Sequence, residues 1–202
     1  MLRDPASFEP VNAVVLCLDA AKHKSGSSLV IPDRKARGGL QILHRCEVTE
    51  QEDREACVRH LYSEALARGL PPAIYAEIWT PMGKSTYETL LGLGEGWGWW
   101  TAEFNRAAKL HRQVLVAPVI CRATPDEWRD ALFGPHRPRK RAPLKELAIQ
   151  YVHSLFGFHV GDDVAESLCI GLYGIRNQRL LDEVRKWSKR QQKLQEAAGT
   201  AA

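Results

Sequence analysis

The chain has 202 residues, 45% hydrophobic and 26% charged, with 28 basic against 24 acidic side chains and a net charge of +4. That composition excludes wholesale disorder and suits one domain of ordinary size with short appendages. No stretch approaches the roughly 20 apolar residues that span a bilayer, and residues 1–5 lack the apolar core of a signal peptide, so a cytoplasmic protein without a membrane partner is expected.

In chain order, an arm of residues 1–11 leads into an apolar, β-branched run at 12–18 that predicts a strand buried on both faces, with Asp19 at its end. A polar turn at 22–26 precedes a second strand at 28–31, and the alternation of Leu40, Ile42, His44 and Cys46 predicts a third. Thr49 and Glu52 have capping-box spacing for a helix reaching Arg68. Residues 73–79 form another apolar run, and it carries Glu77. Ser85 and Glu88 would cap the next helix, in which Gly92, Gly94, Gly96 and Gly98 each cost about 0.5–1 kcal/mol, so close backbone approach is expected there. A fifth strand is predicted at 114–119, and Thr124, Pro125 and Glu127 start a short capped helix. A basic, proline-containing loop at 135–141 precedes helices at 144–156 and 162–172. From Gln178 an amphipathic basic helix carries Leu180, Val184, Trp187 and Leu194 on one stripe. Three strands in succession, then strands alternating with helices, predict an α/β fold with a mixed sheet and helices packed on it, over 12–176, followed by a basic helix and tail at 177–202.

Three acidic positions interrupt apolar contexts: Asp19, Glu77, and the group Asp162, Asp163 and Glu166. Each alone is more often a cap or a solvated surface group. Together they are credible as ligands of a shared cation, because an unpartnered ionised carboxylate is expensive to bury. Asp163 and Glu166 lie at i and i+3 on one helical face, and Asp162 is expected to point elsewhere. Hard oxygen donors select Mg²⁺, with Mn²⁺ as substitute, over zinc; four carboxylates suit two ions about 3.5–4 Å apart, the arrangement of in-line phosphodiester hydrolysis. The five cysteines, Cys17, Cys46, Cys57, Cys121 and Cys169, form no C-x-x-C pair and read as buried thiols.

Lys22 and Lys24 follow Asp19 and Lys84 follows Glu77, so basic residues are expected to rim the carboxylates. Arg137, Arg139, Lys140, Arg141 and Lys145 form the stronger phosphate-binding candidate, because Pro138 and Pro143 keep that run extended; a solvated charge run is the bland alternative. The stripe Arg185, Lys186, Lys189, Arg190 and Lys193 is weaker. Trp97, Trp99 and Trp100 read as core or interface packing; for Trp79 and Met82 a wedge between unstacked bases is the less favoured alternative.

Asp19 followed by Ser25-Gly26, Glu77 followed by Leu93-Gly94-Glu95-Gly96-Trp97-Gly98, and the late Asp163-Val164-Ala165-Glu166-Ser167-Leu168 are similar in order and spacing to RuvC-type Holliday-junction resolvases. The late motif also resembles the Asp-Asp-x-Ala-Asp-Ser of mitochondrial and poxviral resolvases. The likeness spans residues 12–175. It implies a ribonuclease H-like fold with helices on both faces and a homodimer, joined through the glycine-rich helix at 86–110, that nicks two strands of a four-way DNA junction with Mg²⁺. Asp19, Glu77, Asp163 and Glu166 would then be the catalytic, metal-binding quartet. Two departures, Ala20-Ala21 for the usual Pro-Gly and Glu166 for the usual Asp, remove no carboxylate. Thr124-Pro125-Asp126-Glu127-Trp128 resembles a Pro-x-x-Trp element of phage-borne relatives, so a phage source is an expectation. An actin-like ATPase would need a longer chain and a glycine at Ala21, and a catalytically silent relative would have lost carboxylates. Action on forks, flaps or RNA–DNA hybrids stays open, since the metal chemistry is common to all.

Overall fold

The computed structural model describes residues 11–20, 24–77, 87–110 and 118–199. Strands β1 (Val14–Asp19), β2 (Ser25–Pro32), β3 (Leu40–Val48), β4 (Pro72–Glu77) and β5 (Val119–Ala123) form one sheet in the order β3-β2-β1-β4-β5. The first three strands pair antiparallel, as successive strands joined by short connections do. β4 and β5 run parallel to β1, because each is reached across a helical connection, α1 (Gln51–Arg68) or α2 (Tyr87–Leu110). Four further helices follow: α3 (Pro125–Phe133), α4 (Arg141–Phe156), α5 (Asp162–Gly174) and α6 (Gln178–Gly199).

Helices cover both faces, and the two-residue period of the strands decides which side chain meets which layer. Val14, Leu16 and Leu18 of β1 pack with Cys57, Val58 and Leu61 of α1 and with Trp100 and Phe104 of α2. Val15 and Cys17 turn to the other face, where Trp128 of α3, Ala148 of α4, Leu168 of α5 and Leu180 of α6 lie. β4 alternates likewise, with Ile74 and Ala76 on the first face and Ala73 and Tyr75 on the second. By the same parity Asp19 and Glu77 belong to the face of α5.

α5 lies against the sheet because small residues face it. A Cβ on Gly171 would sit 2.8 Å from Cys17 Sγ, and one on Gly174 would sit 2.6 Å from the Tyr75 ring. On β2, a Cβ at Gly26 would stand 1.7 Å from the backbone oxygen of Asp163. Only glycine leaves room for the start of α5 there.

Several expectations are corrected. β2 opens at Ser25, so Ser25 and Gly26 belong to the strand and not to the preceding turn. The box opening α1 is Glu50 with Asp53, one residue later than Thr49 with Glu52; the Asp53 carboxylate accepts from the backbone N–H groups of both Thr49 and Glu50 at 3.1 Å. Of the strand expected at 114–119, positions 114–117 lie outside the described residues; β5 runs from Val119, and its alternating burial marks a strand with one covered face. Of the α2 glycines expected to allow close approach, Gly94 and Gly98 have nothing among the described residues within 4 Å of a built Cβ, whereas Gly96 is buried. α3 opens as expected, with Thr124 and Glu127 as its capping box and Pro125 in the first turn. The first half of α6 enters the core through Leu180, Leu181 and Val184, whereas Leu194 is exposed. Trp79, Met82, Lys84 and Ser85 lie outside the described residues, as does Lys22. Among the described residues, no helix is long and apolar enough to cross a membrane.

Candidate active site

β1 and β4 are parallel neighbours in register Leu18 to Ala76, which puts Asp19 and Glu77 side by side at the carboxyl ends of both strands. α5 begins above them. Carboxylate oxygens of Asp19, Asp163 and Glu166 lie within 4.8 Å of one another. Glu77 is joined to this trio through α3: buried Trp128 donates its indole N–H to Glu77 Oε2 at 2.6 Å, and Arg129 Nη2 stands 3.7 Å from the same oxygen and 2.8 Å from Glu166 Oε1.

Asp162 stands beside the trio. It groups with Glu47 and Asp163, and Lys145 donates to Asp162 and, at 3.0 Å, to Asp163 Oδ1. The expectation that it points elsewhere therefore holds for the Asp19 and Glu166 side only. Lys24 pairs with Asp163 Oδ2 at 3.2 Å and with Glu47 Oε1 at 3.0 Å.

Four carboxylates in a half-buried corner oppose one another's ionisation. Burial, then the charges of Glu77, Glu166 and Asp163, holds the Asp19 pKa well above the ordinary carboxylate range, with Lys145 relieving only part of this. Burial raises Glu77 as well, against the pull of Arg129 and the Trp128 hydrogen bond. Asp162 shifts the other way, below its ordinary value, because Lys145 donates to it.

The donor set fits a hard divalent cation. It is all oxygen, comes from two strand ends and one helix start, and carries more negative charge than the lysines and Arg129 in contact with it. These three side chains, Lys24, Lys145 and Arg129, hold the carboxylates in position within the chain.

The sequence-predicted basic residues divide. Arg139, Lys140 and Arg141 are exposed. Arg137 is corrected: its side chain is only 2% exposed and pairs with Asp126 and, at 3.1 Å, with Asp130 of α3, so it ties the loop down and does not face solvent. Lys145 is committed to Asp162 and Asp163 in the site itself. Sequence reasoning does not single out Arg129, because charge alone does not separate it from surface arginines; the capped helix leading to Trp128-Arg129 is its one signal.

No protein-family model matches the chain, and no curated protein does. Solved structures do. RuvC of T. thermophilus in complex with Holliday junction substrate aligns with a TM-score of 0.52 at 19% identity, over 83% of this chain and 96% of that one. A second Thermus thermophilus RuvC structure aligns with a TM-score of 0.52 at 20% identity over the same shares. The yeast mitochondrial Holliday junction resolvase Ydc2 aligns more loosely, with a TM-score of 0.46 at 15% identity over 92% of this chain and 89% of that one. The chain has the RuvC-like fold, a ribonuclease H-type α/β architecture. The phage source expected from the Pro-x-x-Trp element finds no support in these likenesses.

Proposed function

We propose that the chain is a metal-dependent endonuclease that hydrolyses DNA phosphodiester bonds and resolves four-way junctions by paired, symmetric nicks. The observation that carries this is the convergence of Asp19, Asp163 and Glu166, with Glu77 alongside, on a fold shared with a RuvC solved on a Holliday junction. Asp19, Glu77, Asp163 and Glu166 would hold Mg²⁺ or its substitute Mn²⁺. A bound pair of such ions supplies Lewis-acid activation of water and stabilisation of the 3′ leaving oxygen. Arg129 keeps Glu77 and Glu166 from separating, Trp128 fixes the Glu77 carboxylate, and Lys24 and Lys145 hold Asp163 from two sides. Exposed Arg139, Lys140 and Arg141, with Lys22 and Lys84 from their places beside the carboxylates in the sequence, are assigned to the phosphate backbone.

A homodimer through α2 supplies the second active site that paired nicks require. Leu91 and Trp99 are 49% and 41% exposed on this helix, and Gly94 and Gly98, one turn apart, leave open backbone on one side. The deciding experiment is cleavage of synthetic four-way junction, duplex, fork and RNA–DNA hybrid under identical Mg²⁺ and salt, with both strands mapped. Paired nicks at symmetric positions on the junction are expected; preferential cutting of fork or hybrid would replace this reading.

A further inference from the structure

The carboxylates occupy one face of the sheet, and the opposite face carries donors of a different kind. His44 and Cys46 are two residues apart on β3 and project to the same side, toward α1, which brings Cys57 to meet them. Ligand atoms of these three residues lie within 4.8 Å of one another, with Cys46 Sγ 3.5 Å from Cys57 Sγ. Ser27 of β2 donates its hydroxyl to Cys57 Sγ at 3.4 Å. His60 follows Cys57 by one helical turn and stacks on the His44 ring, centroids 4.9 Å apart.

We propose that His44, Cys46, Cys57 and His60 form a structural Zn²⁺ site that clamps the edge strand β3 to α1. His44 and Cys46 at i, i+2 on the strand already meet Cys57 on the facing helix, and His60, at i+3 from Cys57, would complete the four ligands of a closed site. Around zinc, with Zn–S near 2.3 Å, tetrahedral sulfurs stand about 3.8 Å apart, close to the spacing already present. Three donors converge without rearrangement. His60 is exposed, so its ring is free to turn a nitrogen toward the ion. Thiolate and imidazole donors select zinc over Mg²⁺, and the all-oxygen carboxylate group does the reverse. Cys46 and Glu47 are adjacent and point to opposite faces, so the sheet keeps the two metal classes apart. The clamp also secures β3, an outermost strand of the sheet among the described residues.

The test uses the full chain, expressed with zinc, purified without chelator under reducing conditions and analysed for bound metal. About one tightly held zinc per chain is expected, and exchange for Co²⁺ should give thiolate charge-transfer and tetrahedral d–d bands. Cys46→Ser and His44→Gln should each lose the ion and those bands, while Cys121→Ser, on the other face, keeps both. Mg²⁺-dependent cleavage by His44→Gln should stay within about two-fold of wild type at a temperature where it is folded. If neither variant folds, the Co²⁺ spectrum of the wild-type chain decides. A wild-type chain that holds no zinc and gives no cobalt bands, or that yields Cys46 and Cys57 as a disulfide under the same conditions, overturns the site. So does Cys46→Ser that retains its zinc.

Discussion

At the scale of single residues, Asp19 sits where burial and three neighbouring carboxylates all oppose its charge, so the folded chain without metal holds this proton more tightly than the unfolded chain does. A raised folded pKa adds stability that is fully present below the ordinary carboxylate value and is lost as pH rises through the raised one. A divalent cation needs the ionised form, so its stabilising effect has the opposite slope. The Mg²⁺-induced rise in Tm should therefore grow as pH rises through the raised carboxylate values, measured by thermal melts with and without chelator over a pH series. A Mg²⁺-induced rise that Asp19→Asn leaves unchanged would remove Asp19 from the metal site. Asp163→Asn should lower cleavage by roughly 1000-fold or more while leaving the fold intact. The fold survives because neither cation is stranded: Lys145 keeps Asp162 and Lys24 keeps Glu47. Asp162→Asn should be much milder, since Lys145 keeps Asp163. Single-turnover cleavage beside circular dichroism separates the two outcomes.

At the scale of elements, the contact that builds the site is α5 against β2. Because a Cβ at Gly26 would stand 1.7 Å from a backbone oxygen, and no side-chain rotation relieves such a clash, Gly26→Ala must lift the start of α5. Overpacking of this kind costs about 1–3 kcal/mol. Asp163 and Glu166 ride on that first turn, so cleavage should fall by much more than the stability loss alone predicts. Urea titration followed by cleavage assays under conditions where the variant is fully folded measures both. Wild-type cleavage by folded Gly26→Ala would mean that the start of α5 is not what positions the carboxylates.

For the whole molecule, two surfaces remain to be assigned by experiment. Replacing Arg139, Lys140 and Arg141 together by alanine should weaken binding to all DNA and flatten its salt dependence, by about 0.9 in log–log slope for each duplex phosphate that the variant no longer neutralises. Arg137 is left in place because its removal would strand Asp126 and Asp130 and unpin the loop. An unchanged slope would make the run a solvated surface. Gly94→Leu or Gly98→Leu puts bulk on the open side of α2, whereas Gly96→Leu would strike the chain's own interior. The first two should give monomers by analytical ultracentrifugation, with paired nicking abolished and each site's metal binding retained. A wild-type monomer that still makes paired nicks on a junction would exclude the α2 interface.

The amino-acid sequence by itself determined what depends on neighbours along the chain. The apolar run before Asp19 and the one around Glu77 specify strands with an acid at or near the end, the i, i+3 spacing puts Asp163 and Glu166 on one helical face, and Thr124 with Glu127 sets the start of α3. These are periodicities and caps, which local sterics and hydrogen bonding settle. Tertiary structure alone decided which charges are available and which small residues matter. Arg137 and Arg139 look alike in sequence, yet one is buried between two aspartates and the other is exposed. Arg129 gains its place only because α3 docks beside β4, and Gly26 only because α5 lands on β2. Cys46 and Cys57 look like isolated thiols until β3 and α1 bring them within 3.5 Å. In each case the partner lies far away in sequence, and only the packing of elements reveals the pair.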